Sequence, residues 1–207
     1  MIRILCFGDS NTWGTIADGS FKHCNIEHSY PSVLQKMLGS NYMVIAEGMP
    51  SRTTDLDDIK FPKGNRNGSL FFGQCVITHD PLDFVVIMLG SNDMKSKFNR
   101  TAEETATVVK EKYIKFLQNH LSLELTKNPK IIIVAPPLLD ESKIDEMFEG
   151  ATKKSEKFND LFKQIATKNN CLFINNDGLE CGNDGLHLTP KGLATLAQKV
   201  YDVVVNG

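Results

Sequence analysis

The stretch Cys6-Phe7-Gly8-Asp9-Ser10-Asn11-Thr12-Trp13-Gly14 decides how this chain is read. An apolar run, residues 2–7 (IRILCF), stops at Gly8, and a polar turn bounded by Gly14 takes over. A short run that is apolar throughout suits a strand buried on both faces of a parallel sheet. Open parallel sheets bind ligands outside the carboxyl ends of their strands. Ser10 therefore reads as a side chain at such an end, either a nucleophile or only the N-cap of a following helix.

Four more apolar runs extend this reading along the chain. Residues 42–46 (YMVIA) are closed by Glu47-Gly48-Met49-Pro50-Ser51, and residues 83–89 (DFVVIML) lead into Gly90-Ser91-Asn92-Asp93. Residues 130–135 (KIIIVA) end at Pro136-Pro137, and residues 171–174 form the shortest run. Helical signals fall between them. Ser29-Tyr30-Pro31 supplies an N-cap and a first-turn proline ahead of Val33, Leu34, Met37 and Leu38. Thr101-Ala102-Glu103-Glu104 looks like a capping box one residue short of ideal, before Val108, Val109, Tyr113, Phe116 and Leu117. Within residues 148–168, Phe158, Leu161, Phe162 and Ile165 make an i, i+3, i+4, i+7 stripe, and Thr189-Pro190 opens a last helix through Leu193, Leu196, Ala197 and Val200. Residues 52–81, carrying Asp55, Asp57, Asp58 and Asp80 and broken by Pro62, Gly64, Gly68 and Gly73, read as one long irregular loop that is functional or interface-forming. Strands alternating with helices predict right-handed crossovers onto one parallel sheet. The expected fold is α/β: a three-layer α/β/α sandwich with a five-stranded parallel sheet in flavodoxin-like order 2-1-3-4-5, one domain over residues 1–207.

Bulk properties narrow the function. A net charge of −2 and a pI near 6.2 leave no broad positive field for phosphate backbones, so no nucleic-acid partner is expected. Cys6, Cys24, Cys75, Cys171 and Cys181 show neither a C-x-x-C pair nor zinc-ligand spacing, and read as reduced structural thiols. Residues 2–7 are far too short for a signal peptide core or a membrane span, so a cytoplasmic protein with no membrane partner is expected.

A serine hydroxyl needs a base to take its proton and a third group to orient that base. His23, His28, His79 and His120 have no carboxylate in a recognisable turn with them, whereas His187 sits in Asp184-Gly185-Leu186-His187. That i, i+3 turn lets Asp184 reach one ring nitrogen and leaves the other for Ser10. The candidates are Ser10 as nucleophile, His187 as base and then acid, and Asp184 as orienter. Donors for an oxyanion are the Ser10 N–H, an N–H of the turn at residues 48–51, and the Asn92 side chain. Asn11 and Trp13 are candidate pocket residues, with Phe71, Phe72 and Phe148 as weaker aromatic ones, and Asp93 reads as structural. Arg52 reads as an anion-binding group or, better, as a salt-bridge partner of Asp55 or Asp93, and residues 60–66 as a solvated basic loop. No metal and no organic cofactor is called for.

Gly8-Asp9-Ser10, the turn at Gly48, Gly90-Ser91-Asn92-Asp93 and Asp184-Gly185-Leu186-His187 together resemble, in order and spacing, the four blocks of the SGNH hydrolases, the GDSL-type lipase/acylhydrolase family. The likeness spans residues 4–187. It implies that fold, and it implies Ser10 as nucleophile, Asp184 and His187 as its partners, and oxyanion donors at Ser10, Asn92 and the second block. There the family's usual donor glycine is replaced by Ser51, so Ser51 or Gly48 fills that role. The phrases ILCFGDSNTWG, EGMPSRTT, PLDFVVIMLGSNDMK and FEGATK look like the arylesterase/acyltransferase subgroup. That implies a small-molecule ester substrate, acyl transfer to alcohols beside hydrolysis, and a homo-oligomer whose long loops wall a narrow pocket. A carbohydrate O-acetylesterase on the same triad and a non-catalytic small-molecule-binding module are the rival expectations.

Overall fold

The computed structural model describes residues 1–20, 22–24, 26–59, 64–119, 125–144 and 146–206; His120 and residues 60–63, Pro62 among them, lie outside the described residues. Five strands, β1 (Ile2–Gly8), β2 (Tyr42–Gly48), β3 (Phe84–Met88), β4 (Lys130–Val134) and β5 (Leu172–Ile174), lie parallel in the order β2-β1-β3-β4-β5. This is the expected order. The two-residue period of a strand explains why the central runs are apolar throughout. Leu5 and Phe7 of β1 face one core with Val85, Ile87, Ile131 and Ile133, while Ile4 and Cys6 face the other with Val86, Met88, Ile132 and Val134.

Helices cover both faces. On the first lie α3 (Ser69–His79), α4 (Ala102–Val108), α5 (Lys115–Gln118), α6 (Ala151–Ser155) and α7 (Phe158–Lys168), through Phe72, Val76, Ala106, Leu117, Phe158 and Phe162. On the second lie α2 (Tyr30–Leu38) and α8 (Pro190–Asn206), through Tyr30, Leu34, Leu193, Leu196 and Val200. Fully burying each such side chain stabilises by about 1.5–3 kcal/mol, which outweighs any local propensity in setting the fold. The remaining helix, α1 (Ser10–Trp13), is a single turn at the end of β1.

Several local readings change. The capping box is complete: Thr101 Oγ1 accepts the Glu104 N–H at 3.1 Å and Glu104 Oε2 accepts the Thr101 N–H at 2.8 Å. Ser29 stands at the N-cap of α2, but its hydroxyl makes no capping bond and donates instead to the Ile26 carbonyl at 3.2 Å. The helix after Thr101 widens into a π-helical stretch, Val109–Ile114, in which Tyr113 packs on Phe7 and Phe72 and donates its hydroxyl to the Thr54 carbonyl. The 52–81 region is not irregular throughout, because it contains α3. Gly73 there is no breaker: it is where the Phe116 ring closes on the helix, only 3.0 Å from where a Cβ would sit. Such a helix is held by tertiary packing rather than by its own period.

At the outer edge of the sheet, the Gln35 side chain of α2 accepts the Val44 N–H at 2.8 Å and donates to the Tyr42 carbonyl at 3.1 Å. No helix among the described residues is long and apolar enough to cross a membrane. The five cysteines are free thiols.

Candidate active site

β1 ends at Gly8 and β2 at Gly48, register partners on neighbouring strands. A Cβ on Gly8 would lie 2.1 Å from Thr12 Oγ1, and one on Gly48 would lie 2.2 Å from the Trp13 nitrogen. Only glycines let α1 sit down on the sheet end here. Asp9 caps α1, its carboxylate accepting the Asn11 N–H at 2.9 Å, and this places Ser10 on the first turn, 5% exposed. Burial pushes the Asp9 carboxyl up to about 6, opposed by the Asn11 N–H and by the nearby His187, Arg52 and Lys95 side chains.

The segment before α8 delivers the imidazole. Asp184 Oδ1 accepts the backbone N–H groups of Leu186 (3.1 Å) and His187 (2.9 Å), and Oδ2 stands 2.7 Å from His187 Nδ1. His187 Nε2 stands 2.9 Å from Ser10 Oγ. Half-burial works against ionisation of Asp184, but the bonds from the His187 ring and the two N–H groups outweigh it and hold the carboxyl below its ordinary value. With the Nδ1–H turned to Asp184, the Nε2 lone pair faces the serine.

Asn11 has a different place from the pocket role read in the sequence. It is 1% exposed and absent from the cavity lining; its Oδ1 accepts the Leu188 N–H at 2.8 Å and its Nδ2 donates to the Leu186 carbonyl at 3.3 Å. One side chain thus grips the backbone on both sides of His187. Trp13 also lies outside the lining: it meets the His23 ring edge-to-face with centroids 4.1 Å apart. Trp13 is drawn out of the cavity by that ring contact, while its backbone packs against Gly48.

The other candidate donors lie in the loops that follow β2 and β3. Ser51 has φ 66°, and its N–H takes no hydrogen bond within the described residues. Gly48, occupied in packing under Trp13, does not reach the cavity, so of the two second-block candidates only Ser51 does. Asn92 is 3% exposed on a 3₁₀ turn, Ser91–Met94, with Nδ2 buried and unpartnered. Its neighbour Asp93, fully buried, anchors that turn by accepting the Thr54 N–H at 3.0 Å and the Thr54 hydroxyl. Burial pushes the Asp93 carboxyl up to about 7, with the Thr54 bonds and Arg100 opposing.

Arg52 binds neither Asp55 nor Asp93 and does not reach the cavity. Its guanidinium, buried 4.1 Å over the Phe7 ring, donates to the carbonyls of Gly8 (2.7 Å) and Glu47. These are strand-end carbonyls, and a planar multi-donor group inside the layer satisfies them better than a surface ion pair would. Arg100 is the residue that pairs with Asp55, with Asp93 at 3.8 Å. Arg66 is likewise buried, at 7% exposure, rather than solvated. Phe72 belongs to the core, while Phe148 does wall the cavity.

Ser10, Ser51, Asn92, Asp184 and His187 line one cavity of about 350 Å³. Its apolar wall is Pro50, Ile144, Met147, Phe148 and Leu186, and its other polar members include Thr15, Lys95 and Lys143. Lys95 is 3% exposed with Nζ 3.3 Å from Asp58 Oδ2, and Lys97 takes Asp58 Oδ1 at 2.6 Å. Lys143 pairs with Asp140 at 2.8 Å. A larger groove of about 470 Å³ lies beside β5 and contains neither Ser10 nor His187. Among the described residues no three His, Cys, Asp or Glu side chains cluster as a metal site.

Residues 6–194 match the model of the GDSL-like lipase/acylhydrolase family. The chain belongs to that family. This GDSL-family chain is similar to a solved carbohydrate acetylesterase family member from Sinorhizobium meliloti at 36% identity and TM-score 0.89, over 99% of this chain and 97% of that one. It is also similar to the native aryl esterase of M. smegmatis at 32% identity and TM-score 0.88, over 100% of this chain and 99% of that one. None of the curated proteins matches it. Family and solved neighbours mark it as a hydrolase acting on esters. In the GDSL-family chain, the cavity residues that sequence reasoning missed include Thr15, Lys95, Lys143, Ile144 and Met147. Ile144 and Met147 carried one usable signal, apolar side chains in a connection with no regular period; Thr15 and Lys95 carried none.

Proposed function

We propose that this chain is a serine esterase acting on short acyl or aryl esters through an acyl-enzyme on Ser10. The observation that carries the reading is the relay Asp184 Oδ2 to His187 Nδ1 at 2.7 Å and His187 Nε2 to Ser10 Oγ at 2.9 Å. Ser10 Oγ attacks the ester carbonyl while its proton passes to His187 Nε2. Asp184 stabilises the imidazolium formed. Charge building on the carbonyl oxygen is met by the N–H groups of Ser10 and Ser51 and by Asn92 Nδ2, and each such donor typically contributes about 3–4 kcal/mol to the transition state. When the tetrahedral intermediate collapses, the carbon–oxygen bond to the alcohol breaks and His187 returns the proton to the departing oxygen. Water, activated by the same nitrogen, then releases the acid. An alcohol entering in place of water gives a new ester, and the apolar wall of Ile144, Met147 and Phe148 supports that route.

The test is covalent. A serine-directed phosphonate should label Ser10 in the wild type, label neither Ser10→Ala nor His187→Ala at a comparable rate, and abolish hydrolysis of a chromogenic acetate in step with labelling. Equal hydrolysis by wild type and Ser10→Ala would overturn the assignment, and absence of any adduct would point to a non-catalytic binding module. The likeness to a carbohydrate acetylesterase keeps an acetylated sugar as a second reading of the substrate, separable by comparing aryl acetates with acetylated glycans.

A further inference from the structure

Most polar groups in the cavity have a use in the proposed reaction or a partner in the fold. Ser10, His187 and Asp184 bind one another. The Ser51 N–H and Asn92 Nδ2 await a carbonyl oxygen. The ammonium groups of Lys95 and Lys143 are paired with Asp58 and Asp140, Lys95 sharing Asp58 with Lys97, so both have a carboxylate partner in the fold. Thr15 remains. It is 3% exposed, it lines the cavity, and its Oγ1 is buried without a hydrogen-bond partner.

An unpaired buried hydroxyl costs roughly 1–3 kcal/mol, a penalty that lasts only while nothing in the cavity pairs with it. Thr15 is also held in place. Its N–H donates to the Ser10 carbonyl at 2.9 Å, it bridges to His23, and its branched Cβ restricts rotation about χ1. A rigid, dry, neutral hydroxyl three hydrogen-bond partners short is a recognition element for a second neutral polar group on the substrate, distinct from the reacting carbonyl.

Resting on the serine-esterase reading above, we infer that Thr15 is a specificity-determining residue that hydrogen-bonds a hydroxyl of the substrate, and that the preferred substrates are hydroxyl-bearing esters rather than plain alkyl ones. The hydroxyl is carried on the acyl part, as in a hydroxy acid ester, or on the alcohol part, as in a partly acylated polyol or sugar. Both present the same chemistry to Thr15 Oγ1.

Two pairs of near-isosteric esters distinguish these sources. 4-Nitrophenyl glycolate against 4-nitrophenyl propionate varies the acyl side, and 2-hydroxyethyl acetate against propyl acetate varies the alcohol side. kcat/KM is measured for wild type, Thr15→Val and Thr15→Ser. Wild type should prefer the hydroxylated member of one pair, and Thr15→Val should reduce that preference about 5-fold or more, since 1–3 kcal/mol corresponds to roughly 5- to 150-fold. Thr15→Ser should keep it. A loss of general packing would slow both members alike and leave the ratio unmoved. Ratios in Thr15→Val equal to wild type in both pairs would overturn the inference. Phosphonate labelling of Ser10, run in parallel, separates the two failures: a labelled, active enzyme with unmoved ratios sinks the role of Thr15 alone, and an unlabelled, inactive wild type sinks the esterase reading with it.

Discussion

Replacing Asn11 by alanine tests whether the grip on the His187 segment is what aligns the imidazole. The substitution removes the acceptor of the Leu188 N–H at 2.8 Å and the donor to the Leu186 carbonyl at 3.3 Å. Leu188 is 1% exposed and Leu186 8%, so water does not readily replace either partner. An orphaned buried N–H costs about 1–3 kcal/mol, and the longer bond to a carbonyl with a second lone pair adds about 1 kcal/mol. The sum, about 2–4 kcal/mol, should lower the thermal midpoint by roughly 4–16 °C in a chain of this size. Activity should fall as well, and selectively. Asn11 does not line the cavity, so KM should hold while kcat drops about 10- to 100-fold as the imidazole loses its alignment on Ser10 Oγ. The assays are circular-dichroism melting, and steady-state hydrolysis of a chromogenic ester well below the midpoint. A variant that melts with the wild type and keeps kcat would refute the grip. A rise in KM at constant kcat would instead restore the pocket role first read from the sequence.

Two more outcomes follow from the site. Ser51 sits at φ 66°, a left-handed conformation that favours glycine, and its proposed donor is the backbone N–H. Ser51→Gly should keep activity within a few-fold and unfold no more easily, whereas Ser51→Val should lose both; a fall of about 10²-fold or more in the glycine variant would show that the hydroxyl, not the N–H, meets the oxyanion. Asp93 gives a pH signature. Its folded value of about 7 stands above the ordinary 3.8, so between those limits the folded chain binds more protons than the unfolded one. Its contribution therefore favours folding below about pH 4 and is lost as pH rises through 7. Urea midpoints should show the stability of wild type minus that of Asp93→Asn shrinking from pH 4.5 to pH 8, and parallel profiles would contradict the burial argument.

The sheet was legible because a strand buried on both faces has only one way to look. Residues 84–89 are apolar without a break, and that continuity alone put a loop at Gly90 on the same edge as Ser10. Asp184 and His187 were legible for a similar reason, since an i, i+3 turn is local geometry. What depends on distant packing was not. Helix α3 hides behind Gly73, whose tolerance comes from Phe116 more than forty positions away. Arg52 was assigned by charge to Asp55 and Asp93, yet it serves strand-end carbonyls that no sequence pattern announces. Asn11 and Trp13 both follow Ser10 closely, but a single helical turn directs one under the His187 segment and the other toward His23.

Gln35 has one further effect. By occupying the N–H of Val44 and the carbonyl of Tyr42, it takes two edge groups of β2 away from any foreign strand. A strand from another molecule laid along this part of β2 would have to displace that amide before it could continue the sheet. The amide thus works against edge pairing by hydrogen bonding, which a lysine at this edge would do only by charge.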